Sequence, residues 1–330
     1  MVRVVAAAVL LLVGGVGLAQ SDGAAASAAA QDQPTVATMM AEMLHRAGDG
    51  HSPTVDEVQA AEALPGVSSP EVAKQVEPLL AKGVTNPDAA VRKYALAMLV
   101  GMQSLPDVTP AGAAAGSASG APAKGPATGV AAASGPAIYK GAVAKALAPA
   151  IPAIGAELTD EDQENRMLAV TDLGGFSPDP PAAVYGPLLA YLKRDDAVGA
   201  VGIAVVGDLL QIGPVNDETA AAIARYVRRD DQTADSKANL VEAIAGKPYQ
   251  SQVVNKAVVG YLGSDDPSLQ ARTILSLPQM DLAPEVYADT KAKLADIVAG
   301  GQENLQVVNA AKAVSGCWVQ VKMTAGCPVY

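Results

Sequence analysis

A chain of 330 residues is long enough for two ordinary domains or one elongated array, and half of it is apolar although only 3% is aromatic, with one Trp and one Phe. A core of Ala, Val, Leu and Ile suits closely packed helices and argues against a sandwich or barrel, which wants β-branched and aromatic strands along its whole length. A formal charge of −11 argues against nucleic acid, because binding phosphates needs clustered Lys and Arg; it leaves basic proteins or metal cations as partners, or serves only solubility.

The chain opens with Arg3, an apolar run from Val4 to Val13 and small residues at Gly17 and Ala19. This pattern predicts a secretory signal peptide over 1–19, cleaved after Ala19. The rival, an uncleaved anchor, has only the 16 residues Val4 to Ala19, rich in Gly and Ala, which is short for a spanning helix. With no Cys near the cleavage site, a lipid-modified terminus is not expected, and the mature chain carries no expected membrane span. Residues 20–35 read as a flexible Ala-rich leader.

An N-terminal helical region is expected over 36–105. Thr54-Val55-Asp56-Glu57 has the form of a capping box, and Ser69-Pro70-Glu71 sets a cap residue, a first-turn Pro and a carboxylate where helices start. The only histidines, His45 and His51, are six apart, off the spacing of a helical zinc pair, and neither sits in a nucleophile motif. Glu42 three before His45 is half a di-iron pattern at best. Ordinary exposed histidines are the simpler reading.

Residues 106–136 are dominated by Ala, Gly, Pro and Ser and bury almost nothing, so they read as a low-complexity linker or a long extruded loop. From 137 to 316 the sequence repeats. Acidic pairs stand at Asp160-Glu161, Asp195-Asp196, Asp230-Asp231 and Asp265-Asp266, each 35 residues after the last, with Gly300-Gly301 at the next step. Tyr191, Tyr226 and Tyr261 keep the interval. So do two apolar columns: Ile154, Leu189, Ala224, Val259 and Leu294; and Val170, Val205, Leu240, Leu275 and Ala310. Each unit is predicted to be a helical hairpin turning at its acidic pair. Val198, Val201, Val205 and Leu209, spaced by three and four, share one helix face. A lone hairpin cannot bury that face, so neighbours stack into a solenoid.

Two ladders in this array have two readings each. The acidic pairs could cap helix starts and complement their dipoles, or converge to hold calcium; capping is the stronger reading, since Arg194, Arg228 and Arg229 dilute the field. Tyr191, Tyr226 and Tyr261 could close the grooves between repeats or offer aromatic contacts to a peptide or glycan. Residues 317–330 read as a small cap over the open end, with Trp318 to Met323 alternating like a strand and Cys317 and Cys327 bridged in an oxidising compartment. Closing that loop is worth roughly 2 to 3 kcal/mol. Trp318 either packs in this cap or anchors a partner.

The stretch Asn86-Pro87-Asp88-Ala89-Ala90-Val91-Arg92-Lys93-Tyr94-Ala95-Leu96-Ala97-Met98-Leu99 resembles the turn and second helix of a HEAT repeat, with its Asp and its Val-Arg pair. Gly83, Asn86, Pro87 and Arg92 are echoed by Gly263, Asp266, Pro267 and Arg272. The resemblance implies an all-α, right-handed solenoid of HEAT-like hairpins and a scaffold presenting an extended surface; the disulfide-locked β-like cap read from 317–330 closes it. No His-Glu pair, Walker loop, dinucleotide fingerprint or Cys cluster occurs, so no cofactor and no catalysis are expected. The expectation is an exported, periplasmic or secreted, non-catalytic module that binds a protein or peptide. An enzyme with a cryptic site and a structural spacer of the cell envelope are the alternatives.

Overall fold

The computed structural model describes residues 41–46, 70–103, 138–139, 141–177, 180–300 and 304–318, all within the compact unit Val36–Tyr330. Signal peptide, leader, the Thr54 capping box, His51, the Ala-rich segment and the chain beyond Trp318 lie outside the described residues. The helices are α1 (Pro70–Val84), α2 (Ala89–Gly101), α3 (Gly141–Leu147), α4 (Ile151–Ala156), α5 (Gln163–Gly174), α6 (Tyr185–Leu192), α7 (Gly199–Ile212), α8 (Asp217–Val227), α9 (Ala234–Ile244), α10 (Gln252–Val259), α11 (Pro267–Ser276), α12 (Pro284–Ala299) and α13 (Leu305–Cys317). No strand occurs among the described residues.

Side chains within reach of the backbone decide where these helices start. Asp88 accepts from the Ala90 amide, Asp162 from Glu164, Asn216 from Thr219, Thr233 from Ser236, Asp266 from Leu269 and Asn304 from Gln306 and Val307. Each satisfies donors that a helix start leaves without intrahelical partners. Helix α1 begins at Pro70, where the missing N–H costs nothing.

The helices form two rows. In one, α2, α5, α7, α9, α11 and α13 pack each on the next; in the other, α1 packs on α3 and α4, α4 on α6, α6 on α8 and α8 on α10. Hairpin partners such as α1 with α2, α6 with α7 and α12 with α13 join the rows. The molecule is therefore a repeat array of stacked helix pairs around one continuous core. Both apolar columns point into it: Ile154, Ala224, Val259 and Leu294 are buried with Leu189 half-buried, and Val170, Val205, Leu240 and Ala310 are buried with Leu275 half-buried. Gly141–Thr159 is long and apolar enough to cross a membrane by length and composition. Here it is broken into short helices by Pro149 and Pro152 and packs Val143, Leu147, Ile151 and Ile154 into the shared core.

The α1–α2 hairpin is not detached from the later repeats. The described residues on either side of the Ala-rich segment meet at the C-terminal end of α5: the Gln103 side chain donates to the Thr171 carbonyl (3.0 Å), the Tyr139 amide donates to the Gly175 carbonyl (2.6 Å), and the Tyr139 ring lies on Phe176 at 4.8 Å. Gly175 has to be glycine because a β-carbon would meet Gln103 and the Tyr139 ring at 2.6 and 2.9 Å.

At the far end, α13 buries Val307, Val308, Ala310, Ala311 and Val314 and exposes Gln306, Asn309 and Lys312. Its outer face is mostly polar, although Leu305 is 74% exposed. Of residues 317–330 only Cys317 and Trp318 are described.

Candidate functional site

In three helices of the α2 row the residue four positions after the cap folds its side chain back over the preceding turn. In α2 this is Arg92, which donates to the carbonyls of Asn86 and Pro87 (both 2.9 Å); in α5 it is Arg166, which donates to those of Asp160 (2.5 Å) and Glu161 (3.0 Å). In α11 it is Gln270, donating to the Leu262 carbonyl (2.7 Å), whereas in α7 that position is Gly202. The structural counterpart of Arg92 is accordingly Arg166, which the sequence echo missed, and not Arg272. Aligning Asn86 with Asp266 slips the register by two, because α2 is capped by Asp88 and α11 by Asp266 itself. Arg272 instead reaches Glu242 on α9 (2.9 Å). Counting four residues on from each capping Asp would have found Arg166.

Arg92 does more than brace its own turn. Its guanidinium crosses to the α4–α5 connection, where Nε lies 2.9 Å from Glu157 Oε2 and 2.7 Å from Asp160 Oδ2, and a terminal nitrogen lies 2.5 Å from the same Asp160 oxygen. Lys93 pairs with Glu164 beside it. Between these elements opens a cleft of about 730 Å³ lined by Asn86, Arg92, Glu157, Asp160, Glu161 and Asp162 among others. Burial and the hydrogen bond with Asp160 push the Glu157 carboxyl up to about 7. Asp160 is opposite: against the burial that would raise it, hydrogen bonds with Glu157, the Asp162 amide, Asn165 and Arg92 hold it well below the usual carboxylate range. The lining is rich in carboxylates and its one arginine is already engaged, so its chemistry suits a cationic group.

The acidic ladder divides. Asp266 caps α11 and Asp160 closes the turn before α5, but Asp196 and Asp231 cap nothing. Each is gripped by the arginine two residues before it: Arg194 to Asp196 at 2.7 and 2.6 Å, and Arg229 to Asp231 at 2.9 and 2.6 Å. The reason is offset: the helix cap is the second member of the pair at Asp266 but falls one residue beyond it at Asp162 and two beyond it at Val198 and Thr233, so a fixed 35-residue interval does not place the carboxylates alike. Arg229 also donates to the Arg194 carbonyl (3.0 Å) and to that of Asp195, clasping the previous unit. Among the described residues no group of three His, Cys, Asp or Glu is placed to hold a metal ion.

The tyrosines lie between repeats. Tyr226 is fully buried and Tyr191 is 6% exposed, while Tyr261 is half-buried and donates to the Val227 carbonyl, 34 residues earlier. Tyr226 occupies the space left by Gly202, where a β-carbon would stand 2.1 Å from its hydroxyl. Trp318 is 4% exposed, edge-on to Tyr287 at 4.6 Å, and its carbonyl accepts from Tyr287 (3.1 Å) and Lys291 (3.2 Å). Tyr191, Tyr226 and Trp318 are thus buried against neighbouring units, and Tyr261 keeps a partly open edge. His45 is exposed on the short helix 41–46.

No family model and no curated protein matches the chain. Among solved structures it is similar to an engineered protein (16% identity, 84% of this chain and 67% of that chain, TM-score 0.42). It is also similar to a designed armadillo repeat protein (15%, 84% and 98%, 0.33) and to computationally designed armadillo repeat proteins for modular peptide recognition (16%, 83% and 96%, 0.31). Superpositions this loose leave the fold to rest on its own helix pairings.

Proposed function

We propose that the protein is an exported, non-catalytic scaffold of the HEAT type that binds a protein or peptide segment, without a cofactor and without nucleic acid. The observation that carries this reading is the stacking of helix pairs through one core, with the polar side chains spent on joining neighbouring units: Arg92 to Glu157 and Asp160, Arg229 to Arg194 and Asp195, Tyr261 to Val227. The carboxylate-lined cleft beside Arg92 favours a basic segment as the occupant. Crosslinking of the native protein followed by recovery of bound partners tests the proposal; a specific partner whose binding weakens on Glu161→Lys is expected, and recovery of none counts against it.

The finer features belong to the same proposal. The array winds right-handed, the signal peptide over 1–19 directs the chain to the periplasm or the exterior, and no membrane span remains after cleavage. N-terminal sequencing of the mature protein should begin at Gln20; an intact Met1 would overturn export by this signal. A Cys317–Cys327 bridge is supported by two facts: no described cysteine is free, and the sequence has only these two. Mass spectrometry before and after reduction should differ by two hydrogen atoms, the two electrons coming from the reductant, and two alkylatable thiols in the unreduced protein would overturn the bridge.

A further inference from the structure

Helix α5 joins the α1–α2 hairpin to the rest of the array, and it is bracketed by carboxyls that the fold holds without adequate countercharge. Near its C-terminal end Asp172 is fully buried. Its Oδ1 lies 3.0 Å from the Tyr139 hydroxyl, and its Oδ2 has no hydrogen-bond partner. The same hydroxyl lies 3.0 Å from the Leu99 carbonyl of α2, and a tyrosine has one proton to give. If that proton went to Asp172, an ionised, buried carboxylate would keep one bare oxygen, and an uncompensated buried charge is far costlier than a neutral acid. The consistent assignment gives the tyrosine proton to Leu99 and leaves Asp172 as the neutral acid donating to Tyr139. In that form it ties α5, the residue following the Ala-rich segment and α2 together.

Two more carboxyls guard the same helix. From α7, Asp208 presses on Gly174, where a β-carbon would meet its oxygens at 2.7 and 2.9 Å, and Lys247 is the cation that faces it. At the N-terminal end, Glu157 shares Arg92 with Asp160, while Lys93 and Glu164 pair at the rim. The charged and titratable groups facing these acids are thus Tyr139 at Asp172, Lys247 at Asp208, and Arg92 and Asp160 at Glu157.

We propose that the α2–α5 boundary is a proton-held joint: Asp172, supported by Glu157 and Asp208, keeps the first hairpin seated on the array while protonated and lets it part as the pH rises. Burial raises Asp172 well above the carboxylate range and brings Asp208 to about 7, with Glu157 also near 7. Because the opened acids ionise near their ordinary values, the joint loosens as pH rises from mildly acidic toward neutral, with Asp172 extending the loss upward, and it gives a partner that bridges the first hairpin and the later repeats a pH-dependent seat.

Native-state hydrogen exchange of the full mature chain, corrected for intrinsic exchange rates, tests this. Between pH 5.5 and 8.5, protection of the α5 amides and of the last turn of α2 is expected to fall at least tenfold relative to that of α9 and α11. Asp172→Asn, which keeps a neutral donor to Tyr139, should flatten most of that dependence, and Glu157→Gln should flatten part of it. Protection that is independent of pH at α5, or that falls equally in α9 and α11, overturns the proposal. So does a folded Asp172→Asn protein that retains the full dependence. If Asp172→Asn fails to fold, the Glu157→Gln protein decides: an unaltered pH response overturns the joint.

Discussion

Gly202 and Tyr226 are fitted to each other across a unit boundary, the one lacking a side chain where the other's hydroxyl arrives. A methyl group at Gly202 has no room unless the ring moves, so Gly202→Ala is expected to lower stability by about 1 to 3 kcal/mol in denaturant titration. Tyr226→Phe keeps the ring and removes only a 3.5 Å contact with the Gly199 carbonyl, too long to contribute much, and should shift the midpoint little. Caps separate from clasps in the same way. Asp266→Ala removes the acceptor for the Leu269 amide and should cost about 1 kcal/mol, whereas Asp196→Ala, at an exposed pair, should leave the thermal midpoint nearly unchanged.

Between elements, the most consequential contact is Arg92 across the α2–α5 boundary. Its side chain is 17% exposed and the Asp160 side chain 2%, so removing the guanidinium strands a buried carboxylate. Arg92→Met is expected to cost about 3 kcal/mol, read from urea unfolding, and Glu157→Gln in that background should recover part of the loss. Because Gln103 and Tyr139 already meet at Gly175, replacing residues 104–137 with a short Gly/Ser connection should leave the thermal midpoint within a few degrees; a large drop would mean that the segment itself carries stability. At this scale the sequence was readable where apolar periodicity speaks, since both columns lie in the core and α1 starts at Pro70. It was misleading where charge was the guide. An Asp at constant interval becomes a cap, a turn or an arginine's partner according to a shift of one or two residues in the following helix start. Trp318 and Tyr226 looked equally suited to a surface or an interior because an amphipathic ring serves both, and only the neighbouring unit decides.

For the whole molecule, proton linkage has a definite sign. Glu157 and Asp208 have folded values raised to about 7 from 4.5 and 3.8, so between those limits the folded state binds more protons than the unfolded chain, and stability declines as pH rises. Asp160 works the other way: its folded value is depressed, and its contribution disappears as pH falls below 3.8. Thermal midpoints should therefore peak in mildly acidic buffer, near pH 4 to 5, and decline on both sides; a maximum at pH 8 would contradict the buried-acid assignments. The clasp of Arg229 on the Arg194 and Asp195 carbonyls has a consequence for ancestry and engineering. Every atom it needs recurs one unit back, so an in-frame tandem copy of 199–233 would bring its own latch and find its own strike plate. The length of such a chain can grow by whole modules without redesigning a seam, while any insertion of other size must be looped out.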